Sequence, residues 1–148
     1  MRHAKAQPDA ETDFLRPLSK RGHEQAAQCA QWIESLPFVV DAALVSAALR
    51  TTQTWEGLQI ECAVKFTQDA YTDHVETLVH LVREFGAEAE SLLLVGHNPG
   101  ISDLAFANGY AQELSPCTAV VVEITTDWSQ FGLIEGTPAQ VFIPSKND

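Results

Sequence analysis

An α/β domain with a mostly parallel sheet is the fold class this sequence predicts, and three observations predict it. Short apolar runs alternate with segments of helical length and periodicity. One of those runs, Ser91-Leu-Leu-Leu-Val95, passes directly into a Gly-His-Asn-Pro-Gly loop. No internal repeat, low-complexity tract or linker interrupts the alternation, and 148 residues at 45% hydrophobic content suffice for one core. A single domain over residues 1–148 is therefore expected.

The elements follow in order. Ser19 is a suitable N-cap for a helix reaching about Leu36, with Ala26, Cys29, Ala30 and Ile33 in helical spacing and Pro37 closing it. Asp41-Ala-Ala-Leu-Val-Ser46 reads as a buried strand. The stretch from Ala48 to Ile60 reads as a helix with Leu49, Trp55 and Leu58 inward, although Thr51, Thr52 and Thr54 oppose it by propensity. A brief strand at Val64–Phe66 precedes a helix whose Val75, Leu78, Val79, Val82 and Phe85 share one face. Asp73 and Glu76 form a capping-box pattern, and Gly86 is the stop. After the Leu92–Val95 strand come a helix from Ile101 to Ala107 and two last strands, one in Ala119–Ile124 and one in Ala139–Ile143.

A net charge of −11 disfavours nucleic acid and anionic lipid as partners. Cys29, Cys62 and Cys117 lack metal-site or redox-pair spacing and read as free thiols in a reducing compartment. No run is long and apolar enough to span a bilayer, so a cytoplasmic location is expected and no membrane association. His23, His74 and His80 lie on helical segments outside every motif and are expected to be exposed.

Arginine is scarce (Arg2, Arg16, Arg21, Arg50 and Arg83), which makes its placement informative. Ligands in open α/β sheets bind beyond the carboxyl ends of the strands. One strand ends at Ser46 with Arg50 just after, another at Gly96-His97, and Arg2-His3 joins them if a strand precedes it. Convergent guanidinium groups suit a phosphoryl group, and a neutral imidazole among them can attack phosphorus. Arginines then supply the charge that a metal would otherwise bring, so no cofactor is expected. Taken singly, each residue has an ordinary structural reading, as a solvated arginine or a turn histidine. The joint pattern is what carries weight.

That pattern resembles the histidine phosphatase superfamily and, within it, the short SixA-type phosphohistidine phosphatases. The resemblance rests on Arg-His-Ala-Lys-Ala at 2–6, Arg-Pro-Leu-Ser at 16–19 with Arg-Gly at 21–22, Val-Ser-Ala-Ala-Leu-Arg-Thr-Thr-Gln-Thr at 45–54, and Leu-Val-Gly-His-Asn-Pro-Gly at 94–100. It implies a three-layer αβα, phosphoglycerate-mutase-like domain and a metal-independent phosphatase. It implies His3 as nucleophile and a phosphate pocket of Arg2, Arg50 and His97, with Arg16 added from the SixA-like motif. Larger relatives use a carboxylate acid after the third strand; Asp69 stands at the nearest position here, beside Tyr71. Asn98 is a further candidate donor to the phosphate. The expected substrate is a phosphohistidine-containing phosphorelay or phosphocarrier protein, because an imidazole leaving group with a pKa of ~6.5 needs little acid assistance. The alternatives are a small-molecule phosphomonoesterase, which requires a working Asp69, and a phosphate-binding module without turnover.

Family members carry an apolar strand ahead of the Arg-His pair, where this sequence has Met1 alone. A truncated first strand is therefore expected, explained by a start lying upstream, a shortened strand that still functions, or a strand donated by a partner chain.

Overall fold

The computed structural model describes residues 1–87 and 89–145. Three parallel strands, β1 (Ala42–Ser46), β2 (Ala63–Thr67) and β3 (Leu92–Val95), form a sheet in the order β2-β1-β3. Two further strands, β4 (Ala119–Glu123) and β5 (Thr137–Phe142), pair antiparallel in a separate ladder. The helices are α1 (Lys20–Glu34), α2 (Leu49–Leu58), α3 (Val75–Phe85) and α4 (Gly100–Ala107).

Successive residues of the parallel strands feed opposite faces. Ala43, Val45 and Val95 pack with Cys29, Trp55 and Leu58 of α1 and α2. Leu44 and Leu94 pack with Leu78, Val82, Ile101 and Leu104 of α3 and α4. The result is a three-layer αβα arrangement, as the sequence predicts. No helix among the described residues is long and apolar enough to cross a membrane.

Two local details depart from expectation. In α2 the inward positions include Arg50, Thr51 and Thr54 as well as Trp55 and Leu58, whereas Leu49 is half-buried. The threonines are tolerated because their hydroxyls donate back to main-chain oxygens: Thr51 to Ser46 and Ala48, Thr54 to Arg50. The capping box is not formed. Helix α3 starts at Val75 with His74 as an N-cap that makes no side-chain hydrogen bond, and the Thr72 hydroxyl accepts from the His74 N–H. The backbone of Asp73 is held against Gly100, where an added Cβ would stand 3.3 Å from the Asp73 carbonyl, so a tertiary contact overrides the local cap.

Residues Met1–Ala4 lie between β3 and the β4 ladder. The Met1 amine donates to the Leu94 carbonyl at 2.7 Å, Gly96 N–H to Met1 O, and His3 N–H to Gly96 O. On the other side Arg2 N–H donates to Thr118 O and Cys117 N–H to His3 O. Thus the place expected of a first strand holds a single parallel bridge, Arg2 to Gly96. Past Met1, β3 and β4 are separated by a groove of about 1410 Å³ bordered by Leu92, Leu93, Val120 and Val121.

The Arg-Pro-Leu-Ser segment braces this loop from outside. Ala6 bridges Leu18, Gln7 N–H donates to Pro17 O, and both the N–H and the hydroxyl of Ser19 donate to Lys5 O. The Ser19 hydroxyl also caps α1 by accepting from Gly22 N–H. Gly22 is needed for close approach: a Cβ there would stand 2.0 Å from the Lys5 carbonyl oxygen. Gly22→Ala is expected to push the His3–Lys5 segment off α1 and to cost about 1–3 kcal/mol, measured by urea denaturation; a stability equal to wild type would contradict this bracing.

Candidate active site

Three chain segments converge at the carboxyl ends of the parallel strands. The loop after Arg2 brings His3, β1 and the start of α2 bring Ser46 and Arg50, and the end of β3 brings His97. His3, Ser46, Arg50 and His97 are all buried. The His3 and His97 rings stand 5.3 Å apart between centroids.

Hydrogen bonds assign the tautomers. The Nδ1 of His3 lies 2.7 Å from the Ala4 carbonyl oxygen, which can only accept, so Nδ1 carries the proton. Its Nε2 is then a lone pair, and it faces the Nε–H of Arg50 at 3.3 Å. For His97, Nε2 lies 2.7 Å from the Ser46 hydroxyl. That hydroxyl already accepts from Ala48 N–H, and its proton has no other acceptor among the described residues, so it donates to Nε2. The His97 proton therefore sits on Nδ1, a buried donor without an acceptor among the described residues. Arg2 Nε is a second such donor, while its Nη1 is satisfied by Leu114 O at 3.0 Å.

Burial depresses both imidazoles, with the neighbouring positive groups adding to it. His3 falls from 6.5 to about 4, mainly by burial and then, against its bond to Ala4, through Arg50, Arg2 and Arg16. His97 falls to about 3, by burial, His3 and Arg50. Both are neutral at pH 7, which preserves the His3 lone pair in a positively charged surrounding.

Asp13, which sequence reasoning did not select, enters the site from the loop before Arg16. Its carboxylate accepts from Arg16 Nη1 at 2.9 Å, Arg50 Nη2 at 3.0 Å and the Tyr71 hydroxyl at 2.5 Å, and its carbonyl accepts from Arg50 Nη1 at 2.8 Å. The Tyr71 and arginine donors hold it ionised, far below the usual carboxylate range, and the bond to Asp13 raises Tyr71 in turn. The Tyr71 ring meets His97 edge-on at 5.2 Å. Asp69, by contrast, is exposed, and no hydrogen bond or ion pair of its carboxylate is found among the described residues; its backbone N–H donates to Thr67. Asn98 turns its amide to Leu114 O at 2.9 Å and accepts from Ser102. It thus shares the Leu114 carbonyl with Arg2. Among the described residues no cluster of three or more histidine, cysteine or acidic side chains is placed to hold a metal ion.

Comparison with known proteins agrees with this geometry. The profile of the histidine phosphatase superfamily (branch 1) matches residues 1–71. An uncharacterized protein of Mycobacterium tuberculosis (strain H37Rv) is 36% identical over 106 residues, covering 71% of this chain and 67% of its own. A structure from Nakamurella multipartitia, assigned as a phosphohistidine phosphatase SixA, superposes with a TM-score of 0.90 at 27% identity, over 97% of this chain and 93% of that one. The chain belongs to the histidine phosphatase superfamily. The fold is also that of the protein histidine phosphatase SixA solved with tungstate, at a TM-score of 0.80 and 23% identity over 95% and 92% of the two chains. As a member of this superfamily, the chain is a phosphatase, a hydrolase.

Within the family frame, Arg2, His3, Arg50 and His97 are brought together as the sequence suggests, with Arg16 reaching the group through Asp13. Ser46, Asp13 and Tyr71 were missed as members of the site. Ser46 was visible as a strand-end hydroxyl and Asp13 as the acid three residues before Arg16, a spacing that favours an ion pair.

The two depressed histidines set a pH dependence. Their unfolded forms bind protons below about pH 6.5, whereas the native forms wait until about 4 and 3. The stability tied to them is complete above 6.5 and is lost as the pH falls toward those values. Urea denaturation should show a loss on the order of 5 kcal/mol between pH 7 and pH 4.5, and a shallower loss in a His3→Gln/His97→Gln variant. Equal slopes would contradict the burial account.

Proposed function

We propose that the protein is a phosphohistidine phosphatase that removes a phosphoryl group from a histidine of a phosphorelay or phosphocarrier protein in the cytoplasm, through a phosphoryl-His3 intermediate. The observation that carries this reading is a buried imidazole with an unprotonated Nε2, facing only Arg50 Nε–H, beside two buried donors, Arg2 Nε and His97 Nδ1, that have no acceptor among the described residues. Buried donors without partners are costly unless a ligand serves them. A tetrahedral oxyanion at His3 Nε2 would serve both.

The reaction then runs as two displacements. His3 Nε2 attacks phosphorus, the bond from phosphorus to the substrate nitrogen breaks, and the substrate imidazole leaves with the electron pair. It leaves neutral when its other nitrogen already carries a proton. His3 keeps its Nδ1 proton throughout, and the positive charge its ring gains on bonding to phosphorus is stabilised by the Ala4 carbonyl. Arg2, Arg50 and His97 donate to the equatorial oxygens, where the charge of the transferring group is spread. Water then attacks phosphorus from the opened side, its proton passes to the phosphate, and His3 departs as the neutral Nδ1–H tautomer. No metal is invoked at any step.

The nature of the acid favours a P–N bond over a P–O bond. Asp13, the carboxylate held among these groups, is ionised and cannot donate a proton at neutral pH. Asp69, which an esterase reading needs, is exposed and unengaged. An alkoxide leaving group requires a proton that this site does not hold ready, whereas an imidazole does not. The SixA structure that binds tungstate, a tetrahedral oxyanion, shares the fold and supports the same kind of ligand here.

Phosphate release should be at least ~100-fold more efficient from a phosphohistidine carrier protein than from an aryl phosphate, by kcat/KM. His3→Ala should lower it by ~10³-fold or more with the urea midpoint little changed, and Arg50→Ala should lower binding and turnover together. Comparable release from the aryl ester would favour a phosphomonoesterase. Near-wild-type activity in His3→Ala would rule out the nucleophile.

A further inference from the structure

The donors around His3 fall into two groups. On the buried side, Arg2 Nε and His97 Nδ1 have no acceptor among the described residues. On the solvent side, Arg16 Nη1, Arg50 Nη2 and the Tyr71 hydroxyl all end on the two oxygens of one carboxylate, that of Asp13. Arg50 is thereby turned so that its Nε–H caps the His3 lone pair. Asp13 thus does in the free protein what a phosphoryl group would do: it gives several cationic and hydroxyl donors a common anionic acceptor.

Its setting suits an acceptor that can be exchanged. The Asp13 side chain is 52% exposed, against 7% for Arg50. Residues 8–13 are exposed throughout, and the turn that begins at Asp13 has no side-chain cap at Thr12. The Asp13 backbone is held separately, by Arg50 Nη1 on its carbonyl. The carboxylate can therefore rotate away while Arg50 keeps one fixed anchor. A phosphoryl dianion brings more charge and more acceptor oxygens than a carboxylate and competes well for the same guanidinium groups.

We infer that Asp13 is a positioning residue that acts as an internal counter-anion: it holds Arg16 and Arg50 in place before substrate arrives, and the phosphoryl group must displace it from them. This rests on the phosphatase reading above and adds to it. In this role Asp13 weakens the hold on inorganic phosphate and so speeds product release, at the expense of the tightest possible substrate binding. A residue that merely shaped the loop would have the opposite signature, since its loss would loosen the phosphate pocket.

The test is inorganic phosphate binding by isothermal titration calorimetry, with kcat and KM for phosphohistidine turnover, on the full chain and on Asp13→Asn and Tyr71→Phe. Asp13→Asn keeps the size and removes one negative charge next to two arginines. Phosphate should bind roughly tenfold tighter, KM should fall, and kcat should fall with it as phosphate leaves more slowly. Tyr71→Phe keeps the ring against His97 and removes one donor holding the carboxylate, so phosphate should bind roughly twofold tighter. It carries the test alone if Asp13→Asn does not fold. Unchanged or weaker phosphate binding in the variants, with wild type binding normally, overturns the counter-anion and leaves the phosphatase reading standing. Failure of the wild-type protein to bind phosphate overturns both.

Discussion

The backbone of Met1–Ala4 is tied on one side to Leu94 and Gly96 at the end of β3, on the other to Cys117 and Thr118 ahead of β4, and at its end to the Thr54 hydroxyl of α2. Every function assigned to His3 and Arg2 depends on these bonds. They fix where the His3 ring sits, and the Ala4 carbonyl then fixes which of its nitrogens is free. The same four residues set Arg2 beside Leu114, so that its Nη1 is satisfied and its Nε is left for a ligand. A short segment with few side chains of its own is held in register by partners far away in the sequence. Polar interactions of this kind are strong when complete and costly when broken.

Electrostatics and burial act in the same direction on the histidines and in opposite directions on the anion. Desolvation disfavours an imidazolium, as do Arg50, Arg2 and Arg16, so His3 stays neutral. The same charges attract a phosphoryl group into a region too buried to solvate a bare anion well. A chain of net charge −11 repels polyanions in general, yet keeps this local cluster positive. Asp13 tempers the cluster at its solvent-exposed edge, while nothing among the described residues satisfies the donors at its buried edge. The proposed roles of Asp13, in pre-aligned binding and in product release, rest on that asymmetry.

Much of this was legible in the sequence because it is local. Ser19 caps α1, the apolar runs become β1 and β3, and the four motifs mark the segments that meet at the strand ends. Tertiary relations were not legible. The capping pattern of Asp73 and Glu76 yields to the contact between Asp73 and Gly100. Thr51 and Thr54, poor helix formers by propensity, are kept inward because their hydroxyls bind main-chain oxygens, and Thr54 also accepts from Ala4 N–H. For the acid, the resemblance to larger relatives pointed to Asp69, but the carboxylate among the arginines comes from Asp13, 58 residues from the tyrosine that holds it. Asn98 was a candidate donor to the phosphate; its amide fastens the Leu114 carbonyl that Arg2 also uses.

The central claim is that His3 Nε2 takes the phosphoryl group. Rapid mixing of the wild-type protein with a phosphohistidine carrier, quenched in alkali to preserve P–N bonds and mapped by mass spectrometry, tests it most directly. The account predicts a transient phosphoryl group on the peptide containing His3, and ³¹P NMR of the trapped protein should report attachment at Nε2. A phosphoryl group on His97, or free phosphate formed in the first turnover with His3 unmodified at every time point, would contradict it.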